Sequence, residues 1–142
     1  MNTPATSSIS KTTSKSLRIA LWAAQVVLFA TFMMSAFMKL TTPIPQLSTM
    51  MPWTGELPET FVRFIGLVDL AGGLGILLPA LTRIKSRLCV LAAVGIIVLQ
   101  VLAIGFHSSR GEWMVLPLNF VLLPLAIFVL WGRSRKAPIG AR

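Results

Sequence analysis

Four runs of about twenty mostly apolar residues, near residues 17–40, 58–81, 87–106 and 113–131, constrain this chain more than any other feature. A helix rises about 1.5 Å per residue, so roughly 20 residues cross a hydrocarbon core of about 30 Å. Inside that core every backbone N–H and C=O needs a partner within the protein, which leaves helices for segments of this length. The chain is 55% hydrophobic and 12% charged, with a mean hydropathy of +0.80, too apolar for an ordinary soluble domain. The expected fold is therefore all-α: a polytopic membrane protein built as a bundle of four transmembrane helices.

In chain order, residues 1–16 are rich in Ser and Thr, carry Lys11 and Lys15, and hold too little apolar surface to fold alone. A disordered cytoplasmic tail is expected there. A basic region before an apolar run, with Met34-Ser35-Ala36 as a faint cleavage site, is the competing signal-peptide reading. The run from Leu17 to Met38 is too long for that and reads as an uncleaved first span. Between Thr41 and Leu57, Pro43, Pro45, Pro52 and Gly55 interrupt regular helix, and Trp53 suggests a segment lying at the head-group layer. Pro58 suits a first helical position and Glu59 the positive end of the helix dipole. Pro117 and Pro124 in the fourth run are tolerable where neighbours satisfy the freed backbone groups. The four helices form a membrane domain over 17–133, and 134–142 is expected as a basic cytoplasmic tail.

Charge suggests an orientation. The net charge of +9 would point to nucleic acid in a soluble protein, but here basic residues flank apolar spans, so no nucleic-acid partner is expected and the bilayer is the first partner. The N-terminal region, the connection at 82–87 and the C-terminus hold Lys11, Lys15 and Arg18; Arg83, Lys85 and Arg87; and Arg133, Arg135, Lys136 and Arg142. The other side has Lys39 and Arg110, with Arg63 inside its span, and all four acidic residues fall there or in the membrane. Both termini are expected to be cytoplasmic.

The segment RFIGLVDLAGGLGILLP, Arg63 to Pro79, joins strong hydrophobicity to charge. On a helix Gly66, Asp69 and Gly73 share a narrow arc with Arg63 at its edge. Lys39, Arg63, Asp69, Gln100, His107 and Asn119 all fall in the outer half by depth and form a candidate polar pocket. Ser35 lies one turn from Lys39, with Gln25 further down a similar face. Ionisable groups inside spans cost at least ~2.5 kcal/mol at the bilayer centre and mark functional candidates. The partner of Asp69 decides its state: unpaired it would protonate, and beside Lys39 or Arg63 it would stay charged. The plain alternative is that these groups satisfy one another and join the helices.

Gly66, Gly72, Gly73 and Gly75 read first as close helix packing, with room for a ligand as the other option. Cys89 is the only cysteine, so neither an internal disulfide nor a C-x-x-C pair exists, and it reads as a packing residue. One histidine cannot supply a paired-histidine haem site. Asp69, Glu112 and His107 show no metal-ligand spacing, so no metal is expected, and the glycines lack the following lysine of a phosphate loop.

Taken together, Ser35 to Lys39 closing the first span, the Arg63–Pro79 segment, Ala103-x-x-x-His107 and Gly132-Arg133 resemble the DoxX-like family, over about Leu17 to Arg133. Family members commonly carry glutamate where this chain has Asp69. The resemblance implies a small four-helix membrane protein, with relatives in quinone-linked or sulfur-linked oxidoreductase systems and others acting as assembly or trafficking helpers. The leading expectation is a redox-associated subunit that binds a quinone-like or other small lipophilic molecule in the outer-half pocket. No intrinsic cofactor is expected, any redox role requires a quinone or a membrane oxidoreductase partner subunit, and the chain is not expected to be an enzyme on its own. The alternative is a non-catalytic assembly helper or small permease. The expected location is the bacterial cytoplasmic (inner) membrane. A Ser109→Cys variant should react with an impermeant thiol reagent on intact cells and Ser86→Cys should not; the reverse pattern would overturn the orientation.

Overall fold

The computed structural model describes residues 14–140, so the expected tail lies outside the described residues up to residue 13. The first helix, α1, runs Lys15–Thr41, and Ser14 caps it by accepting from the Leu17 N–H at 3.1 Å. Lys15 and Ser16 are thereby drawn into its first turn. Then come a short helix α2 (Ile44–Met50) and a single 3-10 turn (Pro52–Gly55). The prolines expected to break helix in this stretch instead start it. Pro43 is the N-cap of α2, Pro45 sits in its first turn and Pro52 opens the 3-10 turn, positions where a missing N–H costs nothing.

The remaining spans are α3 (Glu59–Thr82), α4 (Arg87–Ser109) and α5 (Leu116–Trp131), the last continuing into a π-helical turn over Gly132–Lys136. Helix α4 is three residues longer than its apolar run, and α5 starts three residues later than expected. Residues 112–115 are drawn into the turn between them, where the Glu112 N–H donates to the His107 carbonyl at 3.0 Å. All four long helices are long and apolar enough to cross a membrane. The chain is an integral membrane protein of four transmembrane helices.

The spans alternate up and down in a ring: α1 packs on α3 and α5, and α4 packs on the same two, with the α1–α3 contact the most extensive. One end, the terminal end, carries both ends of the described chain and the α3–α4 connection. The other, the distal end, carries α2, the 3-10 turn and the α4–α5 turn. Leu28, Phe32, Ile76, Ala93, Ile96, Leu122 and Ala126 fill the middle. Large apolar side chains such as Met34, Phe37, Phe64, Leu91, Leu102 and Phe120 turn outward, the arrangement a lipid solvent favours.

Lipid is as apolar as leucine, so helices gain their association from close packing and polar contacts. The small residues of α3 supply the first. A Cβ at Gly66 would lie 3.0 Å from Lys39 Cβ and Leu40 Cγ, and one at Gly73 3.2 Å from Met33 Sδ, so both open the α1 side. Gly72 and Gly75 face α4 in the same manner, with Ile96 Cγ1 at 3.4 Å and Ala92 Cβ at 2.9 Å from such a Cβ. Gly132 does this for α5, where any side chain would overlap Leu21.

The distal end has its own small core of Leu47, Trp53 and Val62, backed by Met38, Ile65 and Phe106. Trp53, expected at the head-group layer, is turned inward: its ring meets Phe106 edge-on at 6.1 Å and lies under Lys39 Nζ at 5.7 Å. Folding α2 and the 3-10 turn back over the bundle end buries the indole.

Candidate functional site

The polar residues sort into two layers. In the distal half, α1 carries Ser35 and Lys39 one turn apart, and α3 brings Asp69 opposite them because Gly66 and Gly73 let the two backbones close together. Asp69 is 3% exposed. Its Oδ2 accepts from Lys39 Nζ at 2.7 Å and from Ser35 Oγ at 2.8 Å, and Lys39 Nζ also donates to Ser35 Oγ at 2.8 Å. The aspartate's partner, open in the sequence, is thus Lys39. The three atoms close a triangle that satisfies both charges and ties α1 to α3.

Arg63 takes a different place. Its Nη1 donates to the carbonyls of Lys39 at 2.6 Å and Thr42 at 2.9 Å, and its Nη2 to Glu59 Oε1 at 3.0 Å. It caps the C-terminal end of α1, where carbonyls lack helical partners and the dipole favours a cation. Arg63 therefore supports Lys39 through the backbone, and its hydrogen bonds go to Lys39, Thr42 and Glu59.

His107 belongs to a third group, at the α4–α5 turn. Its Nδ1 lies 2.6 Å from Glu112 Oε2, and Arg110 Nε donates to Glu112 Oε1 at 2.6 Å. Arg110 reaches onward to Glu56 Oε2 at 2.7 Å, joining this turn to the α1–α3 connection. Burial alone would raise the Glu112 carboxyl, but the hydrogen bonds and charges of Arg110 and His107 outweigh it and hold the group below 4.5. Glu56 is also lowered, chiefly by its hydrogen bond from Arg110, and Arg110 is raised in turn by both carboxylates. An ionised Glu112 only accepts, so His107 Nδ1 carries the proton of that bond.

Gln100 and Asn119 complete the distal half, on α4 and α5. Both are buried, and among the described residues Gln100 Oε1 and Asn119 Nδ2 have no hydrogen-bond partner. Counting outward from the Gly72–Ile96 contact at ~1.5 Å per residue, Asp69 is ~4.5 Å and Gln100 ~6 Å away, close to one depth. The six expected pocket residues thus share one half of the bundle but split into a Lys39–Asp69 pair, an Arg63 cap, a His107–Glu112 turn and two amides. Among the described residues no three His, Cys, Asp or Glu side chains gather as a metal site.

The second layer lies near the terminal end, and sequence reasoning missed most of it. Gln25 Nε2 donates to the Ile76 carbonyl at 2.7 Å and contacts Cys89 Sγ at 3.1 Å, while its Oε1 accepts from Arg133 Nε at 2.7 Å. Four residues from four helical segments meet there. The available signal was a glutamine in the middle of an apolar span together with an arginine directly after another.

The family model for the DoxX-like family matches residues 23–129. The chain belongs to the DoxX-like family. That match runs from the third turn of α1 to nearly the end of α5, and so takes in both polar layers except Arg133. No curated protein and no solved structure matches the chain. In this DoxX-like protein the segment that carried the resemblance, Arg63 to Pro79, is also the helix contributing Asp69 and the packing glycines.

The lowered Glu112 carboxyl sets a pH prediction. Its stabilisation is present above about pH 4.5 and is lost as pH falls through its depressed folded value. Melting of the purified protein should therefore fall between pH 5 and pH 3. Glu112→Gln should cost about 1.5–3 kcal/mol at pH 6, the range for hydrogen bonds to charged groups, and flatten that pH dependence. An unchanged slope in the variant would show that the turn does not rest on this carboxylate.

Proposed function

We propose that this DoxX-like protein is a redox-associated membrane subunit that binds a quinone-like or other small lipophilic molecule among the polar groups of its distal half, without being an enzyme on its own. The observation that carries this reading is the pair of unpartnered amide atoms, Gln100 Oε1 and Asn119 Nδ2, on facing helices. A buried polar atom left without a partner costs about 1–3 kcal/mol, so two on one side of a membrane bundle call for an occupant. Asn119 Nδ2 can donate to a carbonyl oxygen and Gln100 Oε1 can accept from a hydroxyl, so the two amides fit both states of a quinone head group. Such a molecule supplies two-electron chemistry when bound. This chain, with one cysteine and one histidine, offers no evident redox centre, so electrons must come from a partner subunit.

The Lys39–Asp69 pair lies in the same half and holds charges of both signs there without adding net charge. The orientation proposed from charge puts both termini in the cytoplasm: ten of the 13 Lys and Arg fall in or within one helical turn of the terminal segments and the α3–α4 connection, and the other three are Lys39, Arg63 and Arg110. The distal half then faces the outer leaflet of a bacterial cytoplasmic membrane.

One observation favours a second reading, an assembly helper or small permease with no bound molecule. Lys39, Asp69, Arg63 and His107 all have internal partners, which a purely architectural layer would also require. Mass spectrometry of lipophilic molecules retained by gently purified protein, compared with Gln100→Leu and Asn119→Leu, separates the two. The ligand reading expects a quinone-class molecule on the unaltered protein and its loss from both variants, whose melting stays level or rises as unpaired amides are removed. No retained molecule on the unaltered protein, with more stable variants, would favour the architectural reading.

A further inference from the structure

At the terminal end, Arg133 is buried in a way that flanking basic residues of membrane proteins are not. Such residues ordinarily extend to the interface and stay hydrated. Arg133 is 4% exposed, donates from Nε to Gln25 and from Nη1 to the Ala137 carbonyl at 3.1 Å, and lies 5.0 Å over the Trp22 ring. Among the described residues its Nη2 has no partner. A guanidinium does not give up its proton, so this charge stays.

No acidic side chain balances it. The chain has four, and Glu56, Glu59, Asp69 and Glu112 all lie in the distal half. What lies beside Arg133 is more positive charge. It walls a cleft of about 220 Å³ together with Arg18 from the first turn of α1 and Arg83 from the end of α3, with Trp22 and Ile139 supplying apolar sides. Arg83 adopts a left-handed backbone, φ 58°, unusual for a side chain of this kind, and its Nε donates to the Gly140 carbonyl at 3.0 Å. Ser86 Oγ donates to the Ile139 carbonyl at 3.1 Å, so the segment after the π-turn is strapped back across the bundle end and forms the rim of the cleft.

We propose that the cleft walled by Arg18, Arg83 and Arg133 is a binding site for a phosphate group, carried by an anionic lipid head group or free in solution. The chemistry fits on three counts. Arginine forks match phosphate oxygens and bind them through paired N–H donors. The unpartnered Nη2 supplies a donor, and two exposed guanidinium groups at the rim can close over the anion. The ends of the membrane helices lie at the depth of phospholipid head groups, and Trp22 and Ile139 give acyl chains a surface beside the charge.

The test is native mass spectrometry of the full chain in mild neutral detergent, titrated with phosphatidylglycerol, with phosphatidylcholine and with inorganic phosphate. Arg18→Gln alters an exposed side chain, and Arg83→Asn keeps a residue type that tolerates the left-handed backbone while the Ser86–Ile139 bond still straps the segment; thermal melting of each variant checks that the fold is kept. At about 1 kcal/mol per basic residue near a membrane surface, each should weaken phosphatidylglycerol binding about fivefold. Arg87→Gln removes an equal charge at the same end outside the cleft and should leave binding unchanged. Saturable binding of phosphatidylglycerol alone identifies a lipid site, and binding of inorganic phosphate that competes with it identifies a free-anion site; both support the proposal. Equal binding of the two lipids without any uptake of phosphate, or equal weakening by Arg87→Gln, would overturn it.

Discussion

An ammonium and a carboxylate within a membrane bundle must find each other or lose their charges, and the contact between Lys39 and Asp69 is where this protein resolves that constraint. The pair joins the two helices with the most extensive contact, and much of the nearby architecture serves it. Gly66 and Gly73 bring α1 and α3 within reach, Ser35 takes one of the remaining hydrogen bonds, and Arg63 fixes the end of α1 from which Lys39 extends. Trp53 closes over the ammonium from the distal side. Remove the small residues and the charges could not meet; remove the charges and the small residues would pack a seam with less to specify its register.

The same logic divides the molecule along its axis. Its middle is apolar and joined by side-chain packing, while polar contacts concentrate in a layer toward each end. The two layers differ in balance. The distal one holds three cations and four carboxylates and closes largely on itself; its buried unpaired side-chain atoms among the described residues belong to neutral amides. The terminal one holds a buried guanidinium whose hydrogen-bond partners among the described residues are neutral. Unpaired neutral amides and an unbalanced guanidinium therefore belong to different ends of one bundle.

The sequence made the fold class legible because the cost of unpaired backbone in lipid leaves few alternatives for apolar runs of this length. It also placed Asp69, Gly66 and Gly73 on one stripe, and Ser35 with Lys39 on another, since helical periodicity depends on spacing alone. Which stripe met which was not legible. Lys39 and Arg63 were equivalent candidates for Asp69, and the choice was made by a backbone interaction, Arg63 with the carbonyls of Lys39 and Thr42, which has no signature in side-chain pattern. The contacts of Trp53 were not legible for a related reason: they depend on a short helix folding back to offer Phe106 and Lys39. Arg133 sat among basic residues that read as an orientation signal, and only its partnership with Gln25, 108 positions away in sequence, distinguishes it.

The dependence of the bundle on its central pair is best tested by a double-mutant cycle on Lys39→Met and Asp69→Leu, read by thermal or denaturant unfolding in a fixed detergent. Each single change leaves one buried charge without its partner and should cost about 3–5 kcal/mol, whereas the double variant replaces the pair by apolar groups and should recover most of that loss. A large favourable coupling, with the double variant near the unaltered protein, is the predicted result. Additive losses would contradict the account, because they would mean that Lys39 and Asp69 act on stability independently and that something other than their contact holds α1 to α3.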